Sequence, residues 1–270
     1  MKSLFFILLS CFLASCSEET EEYSQVTTKM ECITRSHNDT SFTLDPPKPK
    51  TQKPYPWAVT SALTPITKEY FRCKGMPLNP PRIIHEGTKE IMRYNDCSGG
   101  EKHSLPLRVD KEFIYPILIE LMNYIQERTE HPVHITSGHR CQTHNTYVDP
   151  NPQNSASKHM IGAAVCFYVQ GLEERPDTIL QVIQEFYKNH PRYHGQKDYV
   201  EFQRFEKKTT TSTQPWYNKE ILVKICKATE ARDLDNRHPY PYLIIQVRFD
   251  FDRNLRVDFD QEIAKKLLYK

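Results

Sequence analysis

With 270 residues, 38% apolar and 26% charged, the chain is sized for one substantial soluble domain plus a tether, or at most two small domains. A formal net charge of +2, with no basic arm or basic helical stripe, excludes an electrostatic case for binding nucleic acid. Prolines outnumber glycines 19 to 8, which points to extended, poorly packed stretches beside any folded part.

In chain order, Lys2 precedes an apolar run that begins Leu4-Phe5-Phe6-Ile7-Leu8-Leu9 and ends at Leu13. The run reads as a secretory signal and is too short to span a bilayer as a stable anchor. It closes on Leu13-Ala14-Ser15-Cys16, which resembles the lipobox of bacterial lipoproteins, where a small residue precedes the cut and a thiol after it accepts a diacylglycerol. On this reading residues 1–15 are a lipoprotein signal peptide, and lipidated Cys16 holds the mature chain at a membrane surface. A plain signal peptide with a chance cysteine is the alternative. Ser17 in place of aspartate resembles the sorting pattern of Gram-negative lipoproteins, so the expected location is the outer membrane of a bacterial envelope, facing the periplasm. Residues 16–60 read as a tether, acidic over Ser17-Glu18-Glu19-Thr20-Glu21-Glu22 and rich in proline and lysine from Asp45 to Pro54. Beyond Cys16 stand Cys32, Cys73, Cys97, Cys141, Cys166 and Cys226. In an oxidising compartment these permit disulfides whose pairing the sequence does not choose. Cys73 with Cys97 is the favoured pair, because both lie in a stretch poor in regular structure.

Residues 61–270 form the expected folded domain. Residues 71–105, with Pro77, Pro80, Pro81 and Ser98-Gly99-Gly100, read as irregular structure covering one side. From Asp110, read as an N-cap, Phe113, Ile114, Ile117, Leu118, Leu121, Met122 and Ile125 recur at helical spacing, with Pro116 either starting or kinking the helix. Val133-His134-Ile135-Thr136 alternates as a strand, and Gly162 to Val169 reads as another. Pro176 to Tyr187 is a second helix, and Asn218 is read as capping a third through Lys227. Tyr242 to Asp250 is the clearest strand, with Leu243, Ile245, Val247 and Phe249 on one face and Ile244, Gln246, Arg248 and Asp250 on the other. A turn at Asp252-Arg253-Asn254 leads to a strand from Leu255 to Phe259 and a helix opened by Asp260. These elements predict an α+β domain, an antiparallel sheet flanked by helices.

Two clusters carry chemistry. Thr136-Ser137-Gly138-His139-Arg140 follows a strand, with Asn145 a few residues on; Ser157, His159, Gly162 and Ala164 follow at fixed spacing. The run from Val133 to Cys166 resembles the D-Ala-D-Ala carboxypeptidase family of zinc peptidases, whose fold is shared with the hedgehog signalling domain; the resemblance extends over roughly residues 110 to 252. It implies that Ser137-Gly138 makes a tight turn lifting Arg140 into a cleft, where its guanidinium would bind a peptide carboxylate through paired hydrogen bonds. It also implies that Ser137, Ser157 and Gln246 line that cleft and that His159 ligates zinc.

The family pattern then breaks. Cys166 stands where the family has an aspartate ligand, Gln246 where it has a histidine ligand, and Arg248 where an acidic neighbour is expected. Thiolate is a good zinc ligand and glutamine a poor one, and Arg248 would repel a cation. The primary reading is therefore a cell-envelope lipoprotein whose carboxypeptidase-like domain has a degenerate zinc centre and binds peptidoglycan stem peptides or an envelope protein, with little or no hydrolysis. The alternative is an active zinc D,D-peptidase with a rebuilt ligand set of His159, Cys166 and His238. A structural or adhesion lipoprotein that reuses the scaffold is a third reading. His139 and His144 are read as surface or hydrogen-bonding residues.

Overall fold

The computed structural model describes residues 63–99, 103–150, 157–206, 212–230 and 233–259, all within one compact unit, Pro56–Lys270. The signal peptide, the whole tether with Cys16 and Cys32, and the helix expected from Asp260 lie outside the described residues.

The α+β expectation holds. Strands β1 (Arg82–Glu86) and β2 (Lys89–Tyr94) form a hairpin, as do β3 (Leu107–Arg108) and β4 (Lys111–Glu112). Helix α1 (Pro116–Thr129), strand β5 (Val133–Ser137), helix α2 (Gln142–Val148) and strand β6 (Ala164–Val169) follow. Then come helices α3 (Pro176–Asn189) and α4 (Lys197–Val200), and strands β7 (Gln203–Arg204), β8 (Trp216–Tyr217), β9 (Ile221–Cys226), β10 (Tyr242–Val247), β11 (Phe249–Asp250) and β12 (Leu255–Arg256). Six of the strands make one antiparallel sheet in the order β5-β6-β10-β9-β8-β7.

The period-two pattern assigns the two faces of that sheet. Val133, Ile135, Val165, Phe167, Val169, Val223, Ile225, Leu243, Ile245 and Val247 join Leu118, Leu121, Met122 and Ile125 of α1 and Ile179, Ile183 and Phe186 of α3 in the main core. The opposite face carries Cys166, Tyr168, Cys226, Tyr242 and Ile244 as a smaller cluster. Antiparallel partners share a face. Because Cys166 pairs with Ile244 and Ala164 with Gln246, Cys166 and Gln246 project from the same side. A register shift between Ile135 and Ser137 sets Ser137 opposite Cys166, on that side too.

Several boundaries differ from the sequence expectation. Helix α1 starts with Pro116 at its first turn, not at Asp110. Val109 and Asp110 instead have φ of 52° and 57°, the geometry of a two-residue hairpin turn joining β3 to β4. The stretch expected to be irregular contains the β1–β2 hairpin, most of it exposed. The largest correction is at Ile221–Cys226, a strand and not a helix. Asn218 does cap, but its Oδ1 accepts from the N–H groups of Glu220 and Ile221 in a turn that feeds β9 between β8 and β10. Side-chain capping chemistry is common to helix starts and Asx turns; burial on both faces of β9, with β-branched Ile221, Val223 and Ile225 on the core face, decides between them. The strand expected to run from Tyr242 to Asp250 breaks at Arg248, whose N–H turns to the Glu220 carbonyl.

Glu220 is 2% exposed, and its Oε2 accepts the Tyr193 hydroxyl at 2.7 Å. Burial pushes its carboxyl up to about 7, against the Tyr193 hydrogen bond and the Arg192 charge, which favour the carboxylate. A raised folded pKa gives stability that is present below the unfolded value and lost as pH rises through the folded one. Glu220→Gln, which keeps an acceptor for Tyr193 without the charge, is expected to match the parent near pH 4. It should exceed the parent by about 3 kcal/mol at pH 8, read as the difference between urea unfolding curves across that range.

Candidate functional site

The site starts at the end of β5. Gly138 presses on the backbone of Phe71: a Cβ there would lie 2.6 Å from the Phe71 Cα, and the next N–H, of His139, donates to the Phe71 carbonyl at 2.6 Å. Gly138 thus serves close approach, not the tight turn expected of it, and it is not among the glycines with positive φ. Arg140 follows, its N–H donating to the His159 carbonyl at 3.3 Å. Cys141 then caps α2, its Sγ accepting the His144 N–H at 3.3 Å.

The second half of the motif is a short helix, Lys158–Ile161, capped by the Ser157 hydroxyl, which accepts the His159 N–H. It ends at Gly162 in the left-handed region, φ 67°, as the chain turns into β6. His159 is buried, with Nδ1 2.6 Å from the Gly138 carbonyl. A carbonyl only accepts, so Nδ1 carries a proton and Nε2 presents its lone pair. That lone pair faces Cys166 Sγ at 3.6 Å. Burial, then the charge of Arg140, lowers the His159 pKa to about 4; burial raises the Cys166 thiol well above its usual value. At neutral pH the pair is a thiol donating to a neutral imidazole.

Arg140 does not reach into the cleft as a free guanidinium. Its side chain is 5% exposed, with Nη2 on Asp233 at 2.7 Å and Nε shared between the Ser137 hydroxyl at 2.7 Å and Asp235 at 3.0 Å. Ser137 in turn donates to Asp235 at 2.7 Å, so it binds the network and not a ligand. The other oxygen of Asp235 meets His144 Nε2 at 3.1 Å, and His144 Nδ1 meets Asp96 at 2.7 Å. Burial disfavours charge on His144, but the two carboxylates outweigh it and raise its pKa. His144 and Arg140 likewise hold Asp235 well below the usual carboxylate range despite its burial.

The cleft beside this network holds about 360 Å³ and is lined by Ser157, His159, Cys166, Ile244 and Gln246, among others. The structure therefore brings Arg140, Ser157, His159, Cys166 and Gln246 to one place. His238 stands apart from the metal donors, its ring against Tyr168, Tyr240 and Tyr242, with a centroid separation of 5.1 Å to Tyr168. Arg248, expected beside the cation, instead donates to the Asn218 carbonyl and lies over the Tyr217 ring. His139 and His144 are both buried; His144 is the hydrogen-bonding residue expected, whereas His139 finds no hydrogen-bond partner for either ring nitrogen among the described residues.

A His–Cys pair 3.6 Å apart has the spacing of two donors on one zinc, about 3.5 Å for tetrahedral geometry. Among the described residues, however, no third histidine, cysteine or carboxylate donor converges on the pair. Two carboxylates line the cleft: Asp233 is committed to Arg140, and Asp149 does not group with the His159–Cys166 pair. This set does not fit a zinc held as the family would hold it.

Asp96, Asp233 and Asp235 were not singled out from the sequence. Asp96 and Asp235 meet His144 across 48 and 91 residues, separations that no local spacing reveals. The one available signal was the pair of acids in Asp233-Leu234-Asp235, just ahead of the last long strand.

Residues 94–201 match the family model of Peptidase M15. The match ends before β10, so Gln246 lies beyond it. No curated protein matches the chain, and no solved structure does.

Removing one partner from a buried ion-pair network leaves an uncompensated charge, at a cost of about 3 kcal/mol or more. Asp235→Asn is expected to lose that much in chemical denaturation, whereas Asp258→Asn, whose pair with Arg256 is exposed, should be neutral within error.

Proposed function

We propose that this chain, with its Peptidase M15 domain, is a lipid-anchored protein of the bacterial cell envelope. Its cleft would bind peptidoglycan stem peptides without hydrolysing them efficiently. The family carries the peptidoglycan-directed, zinc-peptidase-like class of function. The observation that carries the finer reading is the two-donor centre: His159 and Cys166 face each other at 3.6 Å, while the remaining family ligand position is Gln246. Metal-assisted hydrolysis requires a held cation and a group to manage the proton of the attacking water. Among the described residues the cleft offers two converging donors and a buried arginine charge; of its two carboxylates, Asp233 is taken by Arg140 and Asp149 does not group with the His159–Cys166 pair. What it retains is recognition: Ser157, Gln246 and Lys158 line a trough of polar groups beside the short helix.

Titration calorimetry with a synthetic stem peptide ending in D-Ala-D-Ala is expected to show binding in the micromolar to millimolar range, with no D-alanine released over hours in the presence of zinc. Restoring family-type ligands with Cys166→Asp and Gln246→His is expected to add a metal equivalent that the parent cleft does not hold. Release of D-alanine by the parent chain would overturn the reading in favour of a peptidase rebuilt on His159, Cys166 and His238. Absence of any binding would favour an envelope protein as partner.

The membrane part rests on Leu13-Ala14-Ser15-Cys16. Metabolic labelling with a fatty acid in a bacterial host should mark the parent chain and fail in Cys16→Ser; equal labelling of both would sink the anchor.

A further inference from the structure

Cys73 follows the short helix Lys68–Phe71, Cys97 follows β2, His103 precedes β3, and Cys141 opens α2. Their Sγ and Nε2 or Nδ1 atoms all lie within 4.8 Å of one another. The geometry assigns these four side chains to a structural zinc site of the Cys3His type, separate from the His159–Cys166 centre.

Two edges of the donor tetrahedron can be checked. Zinc–sulfur bonds of about 2.3 Å and a zinc–nitrogen bond of about 2.05 Å at tetrahedral angles put donors about 3.8 Å apart for S–S and about 3.5 Å for S–N. Cys73 Sγ and Cys97 Sγ are 3.8 Å apart, and Cys97 Sγ and His103 Nε2 are 3.4 Å apart. The disulfide favoured from sequence needs about 2.05 Å between the sulfurs, and all three cysteines are free thiols here. An odd number of thiols with one imidazole is also the wrong set for a disulfide: pairing any two leaves a third within exchange distance. It is the right set for a closed zinc centre, with four protein donors and no open position.

The surroundings suit thiolates. The Gly99 N–H points at Cys97 Sγ at 3.4 Å and the His144 N–H at Cys141 Sγ at 3.3 Å, the outer hydrogen bonds that steady metal-bound sulfur. Gly75 is demanded by the same packing, because a Cβ there would sit 2.1 Å from Cys97 Sγ. The need for a metal follows from the core. Main-core residues come mainly from beyond Leu105, and the β1–β2 hairpin is largely exposed, so the described residues between 72 and 104 have little apolar burial to hold them. A closed metal site does that work in segments too small for a core of their own. It would fix Cys141, and with it Arg140 next door, and Cys97 beside Asp96, which holds His144.

The test is elemental analysis of the full chain purified under reducing conditions with zinc supplied, beside Cys97→Ser, Cys141→Ser and His159→Ala. One zinc per chain, kept in His159→Ala and lost in both cysteine variants, is the expected result. Zinc lost in His159→Ala but kept in Cys97→Ser would overturn this assignment and instead restore the metal to the peptidase cleft. Two zincs, one sensitive to each class of variant, would support this site while overturning the degenerate cleft. Absence of zinc, with either free thiols or a Cys73–Cys97 disulfide by mass spectrometry, would overturn it. Should the cysteine variants fail to fold, cobalt substitution of the parent decides. Three thiolates give about threefold the sulfur-to-cobalt charge-transfer intensity of the single thiolate that Cys166 would supply, and chelation should lower the melting temperature only when the structural site is the one filled.

Discussion

A guanidinium removed from water costs several kcal/mol unless opposite charge and hydrogen bonds replace its hydration. Arg140, nearly fully buried, is the group around which this site is arranged. Asp233 and Asp235 supply the charge, Ser137 supplies an acceptor, and the second oxygen of Asp235 is neutralised by His144, itself held by Asp96. The network joins five buried or half-buried ionisable side chains, Asp96, Arg140, His144, Asp233 and Asp235, from three separate segments. Its orientation is therefore set by electrostatics that no one segment determines, and the Nε and Nη2 donors of Arg140 are already engaged inside the protein.

That arrangement explains what could and could not be read from residues alone. Strands β5, β6 and β10 and helix α3 were legible because their apolar residues fall on one face at a period their length can support. The same alternation placed Gln246 opposite the core, and the register with Ala164 bears that out. Strand β9 was misread because its apolar residues leave no periodicity to separate strand from helix, while Asn218 offered a cap that serves either. Arg140 was legible as a special residue but not as an internally paired one, because its acids lie 93 and 95 residues away.

The two cysteine-bearing centres differ in completeness, and the difference is chemical. At the cleft, the tautomer of His159 is set by the Gly138 carbonyl and its lone pair is aimed at Cys166, as for a ligand, yet the strand that should add a third donor presents an amide. At the Cys3His cluster four good donors converge, with backbone N–H groups aimed at two of the sulfurs. On the proposed reading, one centre keeps the frame of a catalytic metal site without its ligand count, and the other has the ligand count without any open position for a substrate.

The two centres are also coupled through covalent neighbours. Cys141 is bonded to Arg140, and Cys97 to Asp96, so the metal cluster grips both ends of the charge network that positions the cleft. A single zinc per chain would accordingly say nothing about hydrolysis until its ligands were known. Loss of that zinc would disturb the cleft even if no substrate atom ever met a metal. In such a protein the cation serves as part of the fold, and the recognition surface depends on it at one remove, through Asp96, His144 and Asp235 to Arg140.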